Sequence, residues 1–228
     1  MTSPLFDRTY RRLFTAQLVA LVGTGLSTVA LALLAYDLAG DDAGIILGTA
    51  LALKMIAYVG VAPIVGGFAH RLPRRPFLIA LDVLRAAFVA CLPFVTEVWQ
   101  VYLLIILLNA CSAGFTPTFQ ATIPDVLKDE DQYTRALSLS RLAYDLENLL
   151  SPTLAAAALV VISFDALFAV NGVAFLISAI LVFSVRLPSP PPHAREQGAW
   201  QNFTFGTTTL LDQLRTKSTC TTVPAGIY

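Results

Sequence analysis

The chain has 228 residues, of which 56% are hydrophobic and only 13% charged, whereas an ordinary soluble domain is roughly 25% charged. Its formal net charge is +0, so it offers none of the basic surface that a nucleic-acid partner requires. These values argue against a soluble domain and against a nucleic-acid-binding protein. They favour the lipid bilayer as the main environment and partner of the chain.

Six apolar runs are each long enough to cross the bilayer as a helix, which takes about 20 residues. They cover residues 13–38, 45–69, 77–95, 98–115, 142–162 and 166–185. Runs such as VYLLIILLNA and GVAFLISAILVF do not alternate apolar with polar residues, as the strands of a membrane β-barrel do. The sequence therefore predicts an all-α membrane protein with six transmembrane helices in one bundle.

The charges in the connections predict how these helices are oriented. Short cytoplasmic loops of membrane proteins are rich in Lys and Arg, and every second connection here is basic. The basic segments contain Arg8, Arg11 and Arg12, then Arg71, Arg74 and Arg75, then Lys128, Arg135 and Arg141, and finally Arg186. The connections between them carry Asp37, Asp41, Asp42, Glu97 and Asp165. This alternation predicts that both termini are cytoplasmic.

A change in composition after residue 187 divides the chain in two. Residues 1–187 form the predicted six-span bundle, whereas residues 188–228 begin with the proline cluster PSPPP and continue through Thr-rich sequence. Because Pro lacks a backbone N–H and clashes with the preceding turn, the cluster cannot continue a helix. We expect residues 188–228 to be a cytoplasmic tail, either disordered or a truncated central linker.

No set of residues is typical of an enzyme or of a metal site. Cys91, Cys111 and Cys220 form no C-x-x-C pair, and His70 and His193 lie in predicted cytoplasmic segments away from any nucleophile that they could activate. The sequence contains no H-E-x-x-H motif and no phosphate-binding P-loop. We therefore expect no enzymatic activity, no metal and no cofactor.

Asp82 and Arg85 are ionisable residues within the third predicted span. An ionisable side chain in the hydrocarbon region costs on the order of 3 kcal/mol on insertion scales, so such residues tend to be paired or to line a wet pathway. The two are three residues apart, a spacing that allows a charge-assisted pair. The pair could be structural, or it could be a conformational latch or coupling site.

Two further charges fall within predicted spans. Lys54 lies about nine residues, roughly 13 Å of helix, from the outer end of the second span. It could line a pathway, or it could be a packing residue neutralised by Asp37 or another carboxylate. Asp145 lies four residues after Arg141, near the cytoplasmic start of the fifth span, where an interfacial ion pair is the favoured interpretation.

Polar stripes run along the first and fourth spans. Their members recur at spacings that keep them on one helix face: Gln17, Thr24 and Thr28 on the first, and Tyr102, Asn109 and Thr116 on the fourth. Such a stripe suits an aqueous cavity, although the same residue types also form hydrogen bonds between membrane helices. We favour the cavity. The third and sixth spans are more uniformly apolar, which suggests that they face lipid.

The stretch GGFAHRLPRRPFL resembles the signature loop between the second and third helices of the major facilitator superfamily. The residues concerned are Gly66, His70, Arg71, Pro73, Arg74, Arg75 and Leu78. His70 replaces the Asp of the family pattern and Pro73 replaces its second Gly, whereas the other five match in type. The resemblance implies that this loop restrains a cytoplasmic gate.

Later segments are similar to the exporter branch that includes siderophore and macrolide efflux proteins. They are LDVLRA and GFTPTFQATIPDVLKDEDQYTRALSLSR, the second of which implies a proline-rich exit from the fourth helix. In the fifth span, ENLLSPTLAAA is similar to the family's antiporter motif. Its residues Ser151, Pro152, Ala155 and Ala156 include small side chains that permit close packing of helices.

The superfamily is built from two six-helix halves around a central cavity, and the chain corresponds to one half. The resemblance implies a secondary transporter that exports a small-molecule substrate by alternating access, as a multi-pass protein of a bacterial plasma membrane. A homodimer or a separate C-terminal half would complete the cavity, whereas the tail, which looks like arbitrary coding sequence, favours a truncated transporter. The alternative is a non-transporting remnant or scaffold that binds a partner membrane protein through its uncovered helix face.

Overall fold

Six long helices make up most of the computed structural model, which describes residues 4–68, 73–185 and 187. They are α1 (Arg8–Ala39), α2 (Ala43–Phe68), α3 (Arg74–Cys91), α4 (Val98–Val126), α5 (Glu130–Leu159) and α6 (Phe164–Phe183). Short 3-10 turns occupy Pro4–Phe6, Gly40–Asp42 and Leu92–Phe94. No strand occurs among the described residues, so this part of the chain is all-α, as predicted. His70, Arg71, Arg186 and the tail 188–228 lie outside the described residues.

Polar side chains outside the apolar runs determine where helices begin. The Asp7 carboxylate accepts a hydrogen bond from the Tyr10 backbone N–H at 2.8 Å, and α1 begins at Arg8. The Asp129 side chain caps α5, which begins at Glu130, well before the predicted span at residue 142. Each cap satisfies a backbone N–H that has no partner within its helix. Because hydropathy does not register these caps, the predicted first and fifth spans begin later than α1 and α5 do.

The fourth helix is longer than predicted. It runs through Pro117 and Pro124 to Val126, so the expected proline-rich exit near residue 115 is wrong. Phe119 and Ile123 are buried in an apolar cluster, and this packing holds the last turns in helical form. Membrane helices tolerate internal Pro where neighbouring groups satisfy the freed backbone.

The helices pack around two apolar clusters, one toward each end of the bundle. Helix α1 lies against α5 and α6, α3 lies between α4 and α6, and α2 lies against α4. The contact between α1 and α6 is close because α1 has glycine at its centre. A Cβ on Gly23 would lie 2.8 Å from the Ala174 Cβ, so no larger side chain fits without movement.

Helix length and apolar composition identify four stretches that could cross a membrane. They are Arg8–Gly67, which contains α1 and all of α2 but its last residue, and then Arg74–Phe94, Val98–Val126 and Phe164–Phe183. Helix α5 is not among them. The helical membrane architecture thus agrees with the sequence, whereas the fifth span and the orientation of the bundle stay predictions.

Candidate functional site

Asp82 and Arg85 form a buried ion pair on α3. Arg85 Nη2 donates to Asp82 Oδ1, and Ser178 Oγ on α6 donates to Asp82 Oδ2 at 2.8 Å. The guanidinium of Arg85 lies over the ring of Phe115 at 4.3 Å and over that of Phe175 at 4.5 Å. Asp82 is 0% exposed and Arg85 5%. The pair therefore ties α3 to α4 and α6, an arrangement suited to the structural alternative.

Hydrogen bonds between α1 and α5 account for the first residue of the polar stripe. Gln17 is only 3% exposed, and its Oε1 accepts a hydrogen bond from Ser140 Oγ at 3.2 Å. Nearby, the Tyr10 hydroxyl donates to the Ala136 carbonyl at 3.1 Å. In this bundle Gln17 joins two helices instead of lining a cavity, which differs from our expectation because a stripe on one helix does not reveal what covers it.

The remaining stripe residues bond mostly to their own helices. Thr24 and Thr28 each donate to the carbonyl four residues earlier, at 2.9 and 3.1 Å, and buried Asn109 donates to the Ile105 carbonyl at 2.8 Å. Tyr102 is half-buried on α4, and Thr28 is exposed. Asn109 is thus a packing residue, while Thr24, Thr28 and Tyr102 keep some contact with the surroundings.

A group of half-buried polar residues gathers where α2, α4 and α5 face one another. We call it the α2–α5 polar cluster, and it consists of Lys54, Tyr58, Thr116, Tyr144 and Glu147. Lys54 interacts electrostatically with Glu147, and Tyr58 interacts with Tyr144, Arg85 and Glu147. The Thr116 and Tyr144 hydroxyls are 3.4 Å apart. Of the two partners considered for Lys54, the structure therefore favours another carboxylate over Asp37, which lies exposed in the last turn of α1.

Helix α1 closes one side of this cluster. The Ser151 hydroxyl donates to the Glu147 backbone carbonyl and lies 3.5 Å from Glu147 Oε1. A Cβ on Gly25 would lie 2.7 Å from the Ser151 Cβ and 3.2 Å from Glu147 Oε1. Glycine on α1 thus makes room for the carboxylate of α5.

The antiporter-like segment contributes to this packing only on one face. Ser151 and Ala155 are buried, whereas Pro152 and Ala156 are exposed. Asp145, two residues before Glu147, is also exposed, and its carboxylate lies 3.9 Å from Arg141 Nε. Both side chains of this pair are largely exposed, 65% and 84%, so the interaction contributes little to stability.

Arginines form contacts between helices at the end of the bundle where α1 begins and α6 ends. Arg74 forms an ion pair with Asp125 at the end of α4. Arg75 donates to the Phe183 carbonyl of α6, and its guanidinium lies 4.7 Å from the Phe183 ring centre. Arg12 donates to the Ser184 carbonyl at 3.0 Å. Of the signature loop, Gly66 is exposed on α2, while His70 and Arg71 are outside the described residues.

The described residues contain no group of three or more His, Cys, Asp or Glu side chains that could hold a metal ion. Cys91 is an exposed free thiol and Cys111 a half-buried one.

Comparison with known proteins identifies the family. The model of the Major Facilitator Superfamily matches residues 13–223. The chain belongs to this superfamily. An uncharacterized MFS-type transporter, YfiS, from Bacillus subtilis is 26% identical over 187 residues, which are 80% of this chain and 44% of YfiS. Macrolide efflux protein A from Streptococcus pyogenes is 25% identical over 77% of this chain and 44% of its own length. The protein of that name from Enterococcus faecalis is 27% identical over 62% of this chain and 47% of its own.

Membership of the superfamily and the apolar helices make the chain an integral membrane protein of the exporter-like kind. The chain spans less than half the length of these relatives. Sequence reasoning missed Tyr58 and Tyr144, and it noted Glu147 only as part of the antiporter-like segment ENLLSPTLAAA. The spacing of Lys54 to Tyr58 by four and of Tyr144 to Glu147 by three could have indicated two polar faces.

Proposed function

We propose that the chain is the N-terminal six-helix half of a secondary transporter that exports a small molecule. The observation that carries the proposal is the superfamily match across residues 13–223. The macrolide efflux proteins among its relatives support export as the direction and an amphipathic compound as the substrate. Alternating access would then arise from rocking of this bundle against a second one.

Charge at the two ends of the bundle supports a cytoplasmic location for both termini. The end where α1, α3 and α5 begin is rich in arginine, whereas the connections at the opposite end hold no Lys or Arg within residues 37–43, 92–97 and 160–165. This asymmetry follows the positive-inside rule. In the proposed orientation in the plasma membrane, all six helices cross the bilayer, including α5, whose charged first turns would lie at the cytoplasmic surface.

A second six-helix bundle has to cover the α2–α5 polar cluster for transport. Half-buried charges facing lipid are costly, and alternating access needs two units that move relative to each other. A second copy of the chain is geometrically suitable, because the two halves of this superfamily are related by an axis along the membrane normal. A separate C-terminal half would serve equally. Light scattering on the purified protein distinguishes these, since a homodimer has twice the 24.5 kDa protein mass.

The arginines at the cytoplasmic end would restrain the gate on that side. Arg74 links α3 to α4 through Asp125, and Arg75 links α3 to α6. Replacement of both by Ala should leave the apolar clusters intact but change the rate of transport or the orientation of insertion. Unchanged insertion and unchanged transport would contradict this role.

Transport into everted membrane vesicles tests the proposed function. Vesicles from a macrolide-sensitive bacterium that produces the full chain should accumulate labelled macrolide above vesicles without it. Accumulation should stop when ion gradients are dissipated and should not require ATP, as expected for secondary transport. If neither the chain alone nor the chain with a co-purifying membrane subunit transports any tested amphipathic compound, the alternative of a non-transporting scaffold or remnant is favoured.

A further inference from the structure

A cavity opens between the N-terminal 3-10 turn and the first half of α5. Its volume is about 320 Å³, and it is lined by Pro4 of the turn and by Arg135, Ser138, Leu139 and Leu142 of α5. Ligand pockets in proteins have volumes of about 300–1,000 Å³, so the cavity is large enough for part of a ligand. The turn lies against α5 and Pro4 is buried, so both walls belong to the packed bundle.

The lining changes from polar to apolar along α5. Arg135 and Ser138 are nearer the start of the helix, whereas Leu142 is nearer its middle, about 10 Å of helix beyond Arg135. The same helix face continues through Leu146 and Leu149, which are exposed by 44% and 73%. A cation at the head of an apolar groove matches a molecule that has an anionic head and an apolar chain.

Arg135 is available to bind an anion. Its side chain is exposed and forms none of the ion pairs found among the described residues. Two carboxylates lie nearby in the chain, Asp131 one turn earlier on α5 and Asp7 after the 3-10 turn, and neither is paired with Arg135. Asp7 instead caps α1 through the Tyr10 N–H. The guanidinium therefore keeps its donors for a phosphate group, which Arg can bind in a bidentate manner.

The surroundings of the cavity favour a lipid as its occupant. The segment Arg8–Arg12 at the start of α1 contains three arginines at the same end of the bundle. Leu5 and Phe6, next to Pro4, are exposed by 37% and 80%, and exposed apolar residues beside basic ones suit the boundary between headgroups and acyl chains. In the orientation proposed above this end faces the cytoplasm, where anionic lipids attract basic segments next to the membrane.

We propose that this cavity binds an anionic phospholipid, with the Arg135 guanidinium on its phosphate and the leucines of α5 along the first part of an acyl chain. Pro4 forms the opposite wall, so the bound lipid joins the start of α1 to α5. The assignment to the cytoplasmic leaflet rests on the proposed orientation, whereas the binding itself requires neither that orientation nor transport.

Native mass spectrometry of the purified, delipidated full chain tests the proposal. Phosphatidylglycerol and phosphatidylcholine with the same acyl chains are titrated in the same detergent, and the affinities for the first bound lipid are compared. We expect phosphatidylglycerol to bind more tightly, and Arg135→Gln to weaken its binding about fivefold, equivalent to about 1 kcal/mol. Ser138→Phe, which places a ring in the cavity, should weaken the binding of both lipids. Both replaced side chains are exposed, so the variants should melt as the unmodified chain does.

Arg141→Gln is the matched control. Arg141 carries the same charge on the same helix, but it does not line the cavity and its side chain is 84% exposed, so its replacement should leave the affinity unchanged. Equal losses in the two arginine variants would show that the lipid responds only to overall charge. That result, or an unchanged affinity in Arg135→Gln, would overturn the proposal.

Two further outcomes distinguish the lipid from other occupants. Glycerol 3-phosphate has the phosphate without the acyl chains, so it should not displace phosphatidylglycerol; displacement at equal concentration would show a simple phosphate site and refute the role of the leucines. If Arg135→Gln releases a co-purifying membrane protein and leaves lipid binding unchanged, the cavity docks a protein and the lipid proposal falls. If phosphatidylglycerol binds through Arg135 but vesicles show no transport, the lipid site stands and the transport proposal falls.

Discussion

Removal of the Asp82 carboxylate should be among the most destabilising single changes in the bundle. Asp82 is 0% exposed and accepts hydrogen bonds from Arg85 and Ser178. In Asp82→Ala the Arg85 guanidinium would remain buried without its counter-ion. The Nε of Arg85 already has no hydrogen-bond partner in the described part of the chain. Breaking a buried ion pair by removing one partner costs about 3–5 kcal/mol.

The aromatic neighbours of Arg85 moderate this cost. The rings of Phe115 and Phe175, 4.3 and 4.5 Å from the guanidinium, would continue to attract the charge, each by about 0.5–2 kcal/mol. We therefore expect Asp82→Ala to cost about 3 kcal/mol, the lower end of the range for a buried pair. Ser178→Ala removes one hydrogen bond and should cost about 1 kcal/mol.

Equilibrium unfolding in mixed micelles, followed by circular dichroism at increasing mole fraction of sodium dodecyl sulfate, measures these costs. The double variant Asp82→Ala/Arg85→Met is the decisive control, because it removes both charges and keeps an apolar side chain between Phe115 and Phe175. It should recover most of the stability lost in Asp82→Ala. If Asp82→Ala costs less than about 1 kcal/mol, or if the double variant is less stable than either single one, the pair does not stabilise the bundle as a buried ion pair.

The remaining predictions concern other contacts between helices. Gly25→Ala should cost about 1–3 kcal/mol of unfolding free energy, because its new Cβ would lie 2.7 Å from the Ser151 Cβ, and overpacking of this kind strains the helices. Gly48→Ala, where nothing lies within 4 Å, should be neutral or stabilise α2 by up to about 1 kcal/mol; equal effects of the two changes would contradict the close α1–α5 contact. Arg74→Ala and Asp125→Ala should each lower stability, and a double-mutant cycle should give a coupling of about 0.5–3 kcal/mol, whereas additive losses would show that the pair does not form in the membrane.

The helices could be predicted from the sequence because the bilayer imposes their length and apolarity. Their ends could not, since caps and packing set them. Asp7 and Asp129 begin helices in polar sequence that hydropathy ignores. Pro117 and Pro124 look like helix breakers, but α4 continues past both because residues such as Phe119 are buried against other helices. A local cap that hydropathy does not register set the two starts, whereas tertiary packing overrode the local proline signal in α4.

The polar contacts that could be predicted are those whose two residues lie close together in the sequence. The pairing of Asp82 with Arg85 follows from a three-residue spacing, so a single helix was enough to suggest it. The hydrogen bond between Gln17 and Ser140 joins residues 123 positions apart, and the interaction of Lys54 with Glu147 likewise joins two distant helices. Neither has a local signature. A polar stripe predicts which residues share a face, but only the packing of the other helices decides whether that face is a cavity or an interface.

The two sets of intramembrane charges differ in a way that bears on mechanism. Asp82 and Arg85 satisfy each other in the core, so a ligand would have to break a buried pair to use either one. Lys54 and Glu147 are only half-buried and form none of the direct ion pairs found among the described residues, so replacing either one should disturb the core much less. Changes at Asp82 should therefore lower stability and all activities together. Changes at Glu147 should leave the unfolding free energy nearly constant, and this contrast separates a charge that stabilises the bundle from one that does not.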